Sequence, residues 1–314
     1  MNLPLRPPNN QPTVESREPD RSVCVVICTR NRPASLRRCL AAVSRLDQPP
    51  EQILVVDNSE GTNDTFEIAR EYGTRYTIEP VRGLSRARNR GLTECDTDFI
   101  AFLDDDVVPA PDWLGHLLEP FSVGRIGATA GRVITPDSQI NDELEKSPRT
   151  LNNQVPHWFE IATFGGLGLG ANMAFRKRTL PIQQLFDERL GRGAPLEIGE
   201  ESYAFARLLE QGSHIAYVPT AIVYHPPLSR GSIQHEARNS FAYWLLLFAE
   251  FPGQRMNIFH FLVRRLRGQP LDWPRHPQEP GDIVSSSVPI LLLAAIKGLW
   301  LFIHTPKHRR FGNN

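Results

Sequence analysis

Short apolar runs alternate with helix-spaced apolar residues through the first hundred residues of the chain. The runs at 23–28, 53–56 and 99–103 are unbroken, as expected of parallel strands that are buried on both faces. After the first run, Pro33 stands where a helix would begin, and apolar residues then recur every three or four positions up to Leu46. Repeated strand–helix units of this kind predict an α/β domain with a mostly parallel sheet and flanking helices.

The same alternation continues less regularly to about residue 225. The polar, weakly patterned stretch 135–164 predicts a long, partly mobile loop, and a glycine-rich run at 165–170 follows it. A helix is predicted over 199–211 from its apolar spacing, and Gly212 is placed to end it. The other predicted strands are 75–78, 126–133, 172–175, 214–217 and 222–224, and the other predicted helices are 65–72 and 84–92.

The chain beyond residue 230 has a different character. It carries ten Lys and Arg against five Asp and Glu, and its apolar runs at 241–251 and 288–303 are separated by a proline-rich linker, 270–280. The second run is short for a bilayer span of about 20 residues, and Lys297 interrupts it. A helix at a membrane interface is the favoured interpretation, with a core or dimer helix and a true span as alternatives.

These differences divide the chain into three segments: a disordered leader at 1–20, the α/β domain at 21–230 and a helical extension at 231–314. The leader is rich in Pro, Asn and Glu and has no apolar run, so no secretory signal is indicated and a cytoplasmic protein is predicted. The basic, aromatic extension would hold this protein at the inner face of the cell membrane through a peripheral contact. With 40% hydrophobic residues, the chain cannot be wholly disordered.

Charge and cysteine content exclude some classes of partner. Lys plus Arg equals Asp plus Glu at 35 each, so bulk charge gives no support for nucleic acid as a partner. The cysteines form no CxxC pair, which favours buried or half-buried reduced thiols over disulfides or a zinc site. They are Cys24, Cys28, Cys39 and Cys95.

Three consecutive carboxylates, Asp104, Asp105 and Asp106, follow the strand predicted at 99–103. Adjacent carboxylates repel one another, so a fold keeps them together only where something offsets their charge. A divalent cation such as Mg²⁺ or Mn²⁺ would do so, and it would also bind the oxygens of a diphosphate. Because ligands of parallel sheets bind at the carboxyl ends of the strands, the position favours a metal site over an acidic turn.

Other polar residues follow the predicted strands directly. Thr29 and Asp57 end the first two strands, so their side chains should converge with Asp104 on one rim of the sheet. The Thr-Arg-Asn-Arg segment 29–32 would combine backbone N–H groups at a helix start with two guanidiniums, which suits an anion. Asp57 would accept an N–H from a nucleobase or, alternatively, form an Asx turn.

Two acidic residues and one histidine complete the candidate set. Glu200 and Glu201 open the helix predicted at 199–211, where they would serve as a general base for a hydroxyl acceptor or simply complement the helix dipole. His225 ends a predicted strand, and it is either a hydrogen-bonded structural histidine or a metal ligand, since neutral imidazole often binds metals.

Eight segments, taken in order, resemble glycosyltransferase family 2, a large family of inverting nucleotide-sugar transferases with the Rossmann-like GT-A fold. They cover about residues 23–225, roughly two thirds of the chain. The segments read VCVVICTRNRP, ILVVDNS, RGLSRARNRGL, FIAFLDDDVVP, GANMAFRK, FDERLGRG, GEESYAFARLLEQG and IAYVPTAIVYH.

The resemblance implies a metal-dependent enzyme that moves a sugar from a nucleoside-diphosphate sugar to an acceptor hydroxyl in a single displacement with inversion. The acceptor would be a glycan or a lipid-linked or cell-surface polysaccharide precursor. Asp104 and Asp106 would form the family's DxD pair and bind Mn²⁺ or Mg²⁺ together with His225. Glu201 stands where the family commonly has a catalytic Asp, and Glu200 is the alternative base. The implied donor-binding residues are Thr29, Arg30, Asn31, Asp57, Arg82, Gly83, Arg88, Asn89, Asp104 and Asp105.

Two other functions stay open from the sequence. A sugar nucleotidyltransferase also uses an α/β sheet, a metal and carboxylates, but a glycine-rich loop would be expected after its first strand, and TRNRP contains no glycine. A non-catalytic sugar-nucleotide-binding protein is the second alternative, because Glu replaces the family's common catalytic Asp. Release of pyrophosphate would identify the nucleotidyltransferase, and a Glu201→Gln variant would separate a catalyst from a binding protein.

Overall fold

The computed structural model describes residues 22–59, 63–136, 146–164, 166–181, 184–227, 233–267 and 288–305. The strands are β1 (Val23–Thr29), β2 (Gln52–Asp57), β3 (Arg75–Ile78), β4 (Phe99–Asp104), β5 (Val108–Pro109), β6 (Ile126–Ile134), β7 (Arg149–Leu151), β8 (Asn172–Arg176) and β9 (His214–Tyr224). The helices are α1 (Pro33–Val43), α2 (Asn63–Glu71), α3 (Leu84–Glu94), α4 (Trp113–Leu118), α5 (Trp158–Thr163), α6 (Glu200–Glu210), α7 (Ile233–Glu250), α8 (Arg255–Leu266) and α9 (Val288–His304).

One mixed sheet runs through the described part of the chain in the order β3-β2-β1-β4-β8-β6-β9-β5, and β7 also pairs with β9. Strands β1 to β4 are parallel, and their register places Thr29 beside Asp57 and Cys28 beside Asp104. Strand β8 lies antiparallel between β4 and β6, whereas β6 and β9 are parallel. The prediction that Thr29, Asp57 and Asp104 meet on one rim is therefore confirmed.

The central strands are buried on both faces, as their unbroken apolar runs predict. Along β1, Cys24 and Val26 belong to one buried cluster, while Val23 and Val25 belong to another on the opposite face of the sheet. Up to residue 104, the predicted bounds of strands and helices after the first helix differ from the observed ones by no more than two residues. The polar residues predicted to form the site therefore lie at the rim, where the strands end.

The prediction of a long loop over 135–164 is wrong at 149–151 and 158–163. Strand β7 and helix α5 lie within it, and the Phe159 side chain is fully buried; residues 137–145 lie outside the described part. Strand β7 begins with a polar residue, Arg149, so its sequence does not predict a strand. The Arg149 guanidinium donates to the Gly166 carbonyl at 2.7 Å and lies 4.0 Å from the centre of the Tyr217 ring. A half-buried guanidinium stacked on an aromatic ring has no apolar signature in the sequence.

The two short strands predicted at 214–217 and 222–224 are one continuous strand, β9. The register between β6 and β9 shifts between Gly131 and Arg132. The shift lies opposite residues 219–221 of β9, within the gap between the two predicted strands. The side-chain amide of Asn172 donates to the carbonyls of Arg132 at 3.0 Å and Ala221 at 2.8 Å. These hydrogen bonds satisfy carbonyls at the irregularity, so the strand continues through it.

Residues of the extension contribute to the main core. Ala242, Leu246 and Leu247 of α7 are fully buried in the same cluster as Phe159. Helix α9 packs closely on α7, since a Cβ atom at Gly298 would lie 2.7 Å from the Cβ of Phe241. Within the described residues, no helix combines the length and apolarity needed to cross a bilayer. The leader at 1–20 and the linker at 270–280 lie outside the described residues.

The prediction of buried, reduced cysteines is confirmed. Cys24, Cys28, Cys39 and Cys95 are all buried, and each is a free thiol. Burial raises the pKa of the Cys28 thiol to about 12, and the pKa of Cys24 and Cys39 is also raised.

Candidate active site

A cavity of roughly 200 Å³ opens at the rim where β1, β2 and β4 end. Of the predicted donor-binding residues, Thr29, Arg30, Arg82, Asp104 and Asp105 line it. Its charged lining consists of Arg30, Arg32, Arg82, Arg192, Asp104 and Asp105. A cavity with four guanidiniums and two carboxylates suits a ligand that carries several negative charges together with a cation.

Asp105 is the most enclosed member of the aspartate triplet. Its carboxylate accepts hydrogen bonds from the Thr29 hydroxyl at 2.6 Å and from the Arg32 guanidinium at 3.0 Å. Burial raises the pKa of Asp105 to about 6, against the opposing effects of Thr29 and Arg32. The same guanidinium lies 2.7 Å from a carboxylate oxygen of Asp106. Arg32, one of the two guanidiniums of the predicted anion-binding segment 29–32, therefore bridges two of the three aspartates.

Asp104, Asp106 and His225 form a cluster in which one ligand atom from each lies within 4.8 Å of the others. The pairing of β5 with the end of β9 brings the aspartate turn beside His225. The His225 Nδ1 lies 2.6 Å from the Pro226 carbonyl, and because a carbonyl only accepts, Nδ1 carries the proton. Its Nε2 lies 3.4 Å from Asp106. Two carboxylates and an oriented imidazole fit a divalent cation.

Arg88, which follows the cavity residue Ala87, is buried, with its side chain only 2% exposed. The guanidinium donates to the Glu200 carboxylate at 2.9 Å, to the Gly170 carbonyl at 3.0 Å and to the Asp104 carboxylate at 3.3 Å. Burial alone would lower the pKa of Arg88, but the carboxylates of Glu200 and Asp104 outweigh it and raise that pKa. Arg88 thus joins the aspartate triplet to the start of α6.

The two glutamates at the start of α6 have different surroundings. Glu200 is buried against Arg88, whereas Glu201 is half-buried and its carboxylate accepts a hydrogen bond from the Gly170 N–H at 3.2 Å. Gly199, which precedes the helix, has a φ of 75°, a conformation that favours glycine. A Cβ atom there would lie 2.7 Å from the Tyr243 ring. Helix α7 therefore fixes the position from which both glutamates extend.

Asp57 is buried at the end of β2. One carboxylate oxygen accepts the Ser59 N–H at 2.9 Å, and the other accepts the Tyr76 hydroxyl at 2.9 Å. This is the Asx turn that the sequence allowed, and its contact with a nucleoside stays a prediction. The next residue, Asn58, lines the cavity and was missed.

Three other predicted residues shape the rim through their backbone or buried side chains. The N–H of Gly83 donates to the Asn58 side chain at 2.8 Å. Asn89 is buried and exchanges two hydrogen bonds with the backbone of Phe186, at 2.8 and 3.0 Å. Asn31 is exposed, with a φ of 55°. Their roles in donor binding also stay predictions.

The family model described as glycosyl transferase family 2 matches residues 24–179. The chain belongs to this family. This confirms the family resemblance, with a match that spans the first five of the eight sequence segments. The mixed α/β sheet with flanking helices is the GT-A fold.

Two curated relatives are similar in sequence to this family 2 chain. It is 29% identical over 217 residues to the pre-mycofactocin glycosyltransferase of Mycobacterium tuberculosis (strain ATCC 25618 / H37Rv), an alignment that covers 65% of this chain and 43% of the relative. It is 28% identical over 229 residues to the succinoglycan biosynthesis protein ExoM of Rhizobium meliloti (strain 1021), covering 68% and 70%. The chain thus spans less than half of the length of the mycobacterial relative.

Solved structures share the fold of this family 2 chain. S. aureus TarS 1–349 in complex with UDP-GlcNAc has a TM-score of 0.62 at 14% identity, over 90% of this chain and 81% of that one. The mannosyltransferase PcManGT from Pyrobaculum calidifontis, in complex with GDP-Man and Mn²⁺, has a TM-score of 0.53 at 17% identity, over 90% and 72%.

Proposed function

We propose that this chain is a metal-dependent, inverting glycosyltransferase that moves a sugar from a nucleoside-diphosphate sugar to an acceptor hydroxyl. The observation that carries the proposal is the cavity at the sheet rim, where four guanidiniums face the carboxylates of Asp104 and Asp105. Guanidiniums bind phosphate oxygens in a bidentate manner, and carboxylates bind a cation that shares the same phosphates. The relatives named as glycosyltransferases and the neighbours bound to UDP-GlcNAc or GDP-Man support this class of donor.

The divalent cation, Mn²⁺ or Mg²⁺, is assigned to Asp104, Asp106 and His225. Support comes from the proximity of their ligand atoms and from the Pro226 carbonyl, which leaves the His225 Nε2 directed at Asp106. When bound, the cation neutralises charge on the departing diphosphate.

Glu201 is the proposed general base. Its carboxylate is half-buried and accepts a hydrogen bond from the Gly170 N–H, and it stands where the family commonly has its catalytic Asp. The carboxylate of Glu200 is instead engaged by the buried Arg88. General base catalysis depends first on reach and then on pKa, and the greater exposure of Glu201 favours it over Glu200.

The proposed step is a single displacement. The acceptor oxygen forms a bond to the anomeric carbon while the bond from that carbon to the diphosphate oxygen breaks. The hydroxyl proton passes to Glu201, and the electron pair of the broken bond leaves with the nucleoside diphosphate. Attack opposite the leaving group inverts the anomeric configuration. The arginines of the cavity offset the negative charge that grows on the leaving group.

The acceptor is proposed to be a glycan or a lipid-linked or cell-surface polysaccharide precursor, as the name of the succinoglycan relative suggests. A peripheral contact with the inner face of the cell membrane is proposed for α9. Its exposed apolar residues recur at helical spacing along one face and leave Gly298 against α7. These residues are Ile296, Leu299, Trp300 and Ile303. The exposed Lys297 beside them suits anionic lipid.

A thermal-shift panel with UDP-, GDP-, dTDP- and CMP-sugars, each with and without Mn²⁺, tests this function. Because a ligand that binds only the folded state stabilises it by mass action, a donor at about 100 times its dissociation constant adds roughly 2.7 kcal/mol. We expect a metal-dependent shift with one nucleotide class and release of the nucleoside diphosphate with an acceptor. Release of pyrophosphate, or no shift with any donor in folded protein, would contradict the proposal.

A further inference from the structure

Arg192 lies in the FDERLGRG segment but is not among the predicted site residues. It lies between Gly191 and Gly193, whose φ angles of 89° and 82° are in the left-handed region, where glycine avoids the strain of a side chain. The Arg192 carbonyl accepts a hydrogen bond from the Leu84 N–H at 2.9 Å. The loop is therefore pinned at the start of α3, with a backbone that two flanking glycines permit.

The same glycines place Arg192 between Glu200 on one side and Arg82 on the other. A Cβ atom at Gly191 would lie 3.0 Å from the carboxyl carbon of Glu200, and one at Gly193 would lie 3.0 Å from the Nε of Arg82. Arg192 itself lines the cavity that also holds Asp104. Its side chain is exposed on the cavity side rather than buried in the core.

Nearby arginines are already neutralised by carboxylates. Arg86 lies 2.5 Å from Glu188, and Arg189 lies 2.5 Å from Asp187. In contrast, no carboxylate in the described part of the chain forms an ion pair with Arg192. The same holds for Arg82, its neighbour across Gly193, within those described residues. Two uncompensated guanidiniums at one cavity wall repel each other, and a polyanionic ligand would offset that repulsion.

We propose that Arg192 binds the diphosphate of the donor, opposite the aspartate triplet, and stabilises the nucleoside diphosphate as it leaves. This inference rests on the proposed function and adds a residue to it. As the bond from the anomeric carbon to the diphosphate oxygen breaks, the electron pair moves onto that oxygen. The Arg192 guanidinium, which has no acceptor of its own among the described side chains, donates to the charge that develops there.

The test measures binding of UDP, GDP and dTDP, each with and without Mn²⁺, by calorimetry on the full chain. For the diphosphate that the wild type binds, Arg192→Ala is expected to weaken affinity about 10- to 100-fold, as for loss of a charge-assisted hydrogen bond. The matching nucleoside monophosphate should bind nearly as well as before. Arg192→Lys should recover part of the loss because it keeps the charge without the bidentate fork.

Arg125→Ala is the matched control. Arg125 is exposed next to the start of β6, on the opposite rim of the sheet, so its removal should leave every affinity unchanged. Arg192→Gln provides a second neutral variant if the alanine variant does not fold. Equal affinity of the neutral variant and the wild type for the diphosphate would overturn the inference, as would an equal loss for monophosphate and diphosphate. If the wild type binds none of the three diphosphates, the proposed function itself is wrong.

Discussion

The guanidinium of Arg88 lies 2.9 Å from the carboxylate of Glu200, in a position where both side chains are almost closed to solvent. The same guanidinium lies 3.3 Å from Asp104 at the end of β4. The buried Arg88 guanidinium therefore joins the proposed metal site to the start of α6. It also distinguishes the adjacent glutamates, because Glu200 is buried in the ion pair with Arg88 while Glu201 is half-buried.

Glu201→Gln is expected to lower kcat by about 10²- to 10⁴-fold, the usual contribution of a general base. The donor affinity should be nearly unchanged, since the Gly170 N–H still meets an oxygen acceptor at this position. Steady-state kinetics and calorimetric titration with the donor check the two parts separately. Full activity of this variant would remove Glu201 from the mechanism.

Arg88→Met is expected to lower the free energy of unfolding by about 3 kcal/mol, because it leaves the Glu200 and Asp104 carboxylates without their buried partner. Urea denaturation measures the change. Arg90→Met is the matched control on the same helix, since Arg90 is exposed and its pair with Glu94 is a surface one, worth at most about 1 kcal/mol. Similar losses of unfolding free energy in the two variants would show that the buried ion pair stabilises the protein no more than the surface pair does.

His225→Ala and Asp106→Asn are each expected to weaken Mn²⁺ binding by at least about tenfold, since each removes one proposed ligand. Electron paramagnetic resonance of free Mn²⁺ measures this without any turnover. His214→Ala serves as the control, because His214 begins β9 at the opposite end from His225. Unchanged Mn²⁺ affinity in both variants would mean that the cluster does not hold the metal.

Trp300→Ser combined with Ile303→Ser is expected to reduce binding to phosphatidylglycerol-containing vesicles by at least about tenfold. These side chains are 61% and 65% exposed on the outer face of α9, so the fold should tolerate the change. Val123→Ser, at an exposed apolar residue outside the extension, is the control in the same sedimentation assay. Equal sedimentation of all three proteins would contradict the membrane contact.

The thiols are expected to react slowly with Ellman's reagent at pH 8 in the native protein. Burial raises the pKa of Cys28 to about 12, so this thiol stays protonated at pH 8, and only the thiolate is the nucleophile. The folded-state pKa lies above the unfolded value, so stability is retained below about pH 9 and falls as pH rises toward 12. If the native protein reacted with Ellman's reagent as fast as the urea-unfolded protein does, the prediction of slow reaction would be wrong.

The sequence predicted the rim of the site well because parallel strands bring their carboxyl ends together regardless of the loops. Thr29, Asp57 and Asp104 are each one end of an unbroken apolar run, and the register places them side by side. Arg192 does not follow an apolar run, and although its FDERLGRG segment resembles the family, the position of Arg192 beside Glu200 and Arg82 depends on contacts distant in the chain. The buried position of Arg88 was equally hidden, because a charged residue on a helix is usually exposed.

The contribution of α7 to the core has a consequence for the order in which the protein is made. Phe251, at the end of that helix, packs on Phe159 and Tyr203 with ring centroids 5.1 and 5.4 Å away. Tyr203 belongs to α6, the helix that begins with both glutamates. On a ribosome, β1 to β4 emerge long before α7 and can pair early. We therefore expect a nascent chain to form the rim at the ends of β1, β2 and β4 first, and the start of α6 to become rigid only when synthesis has passed residue 251.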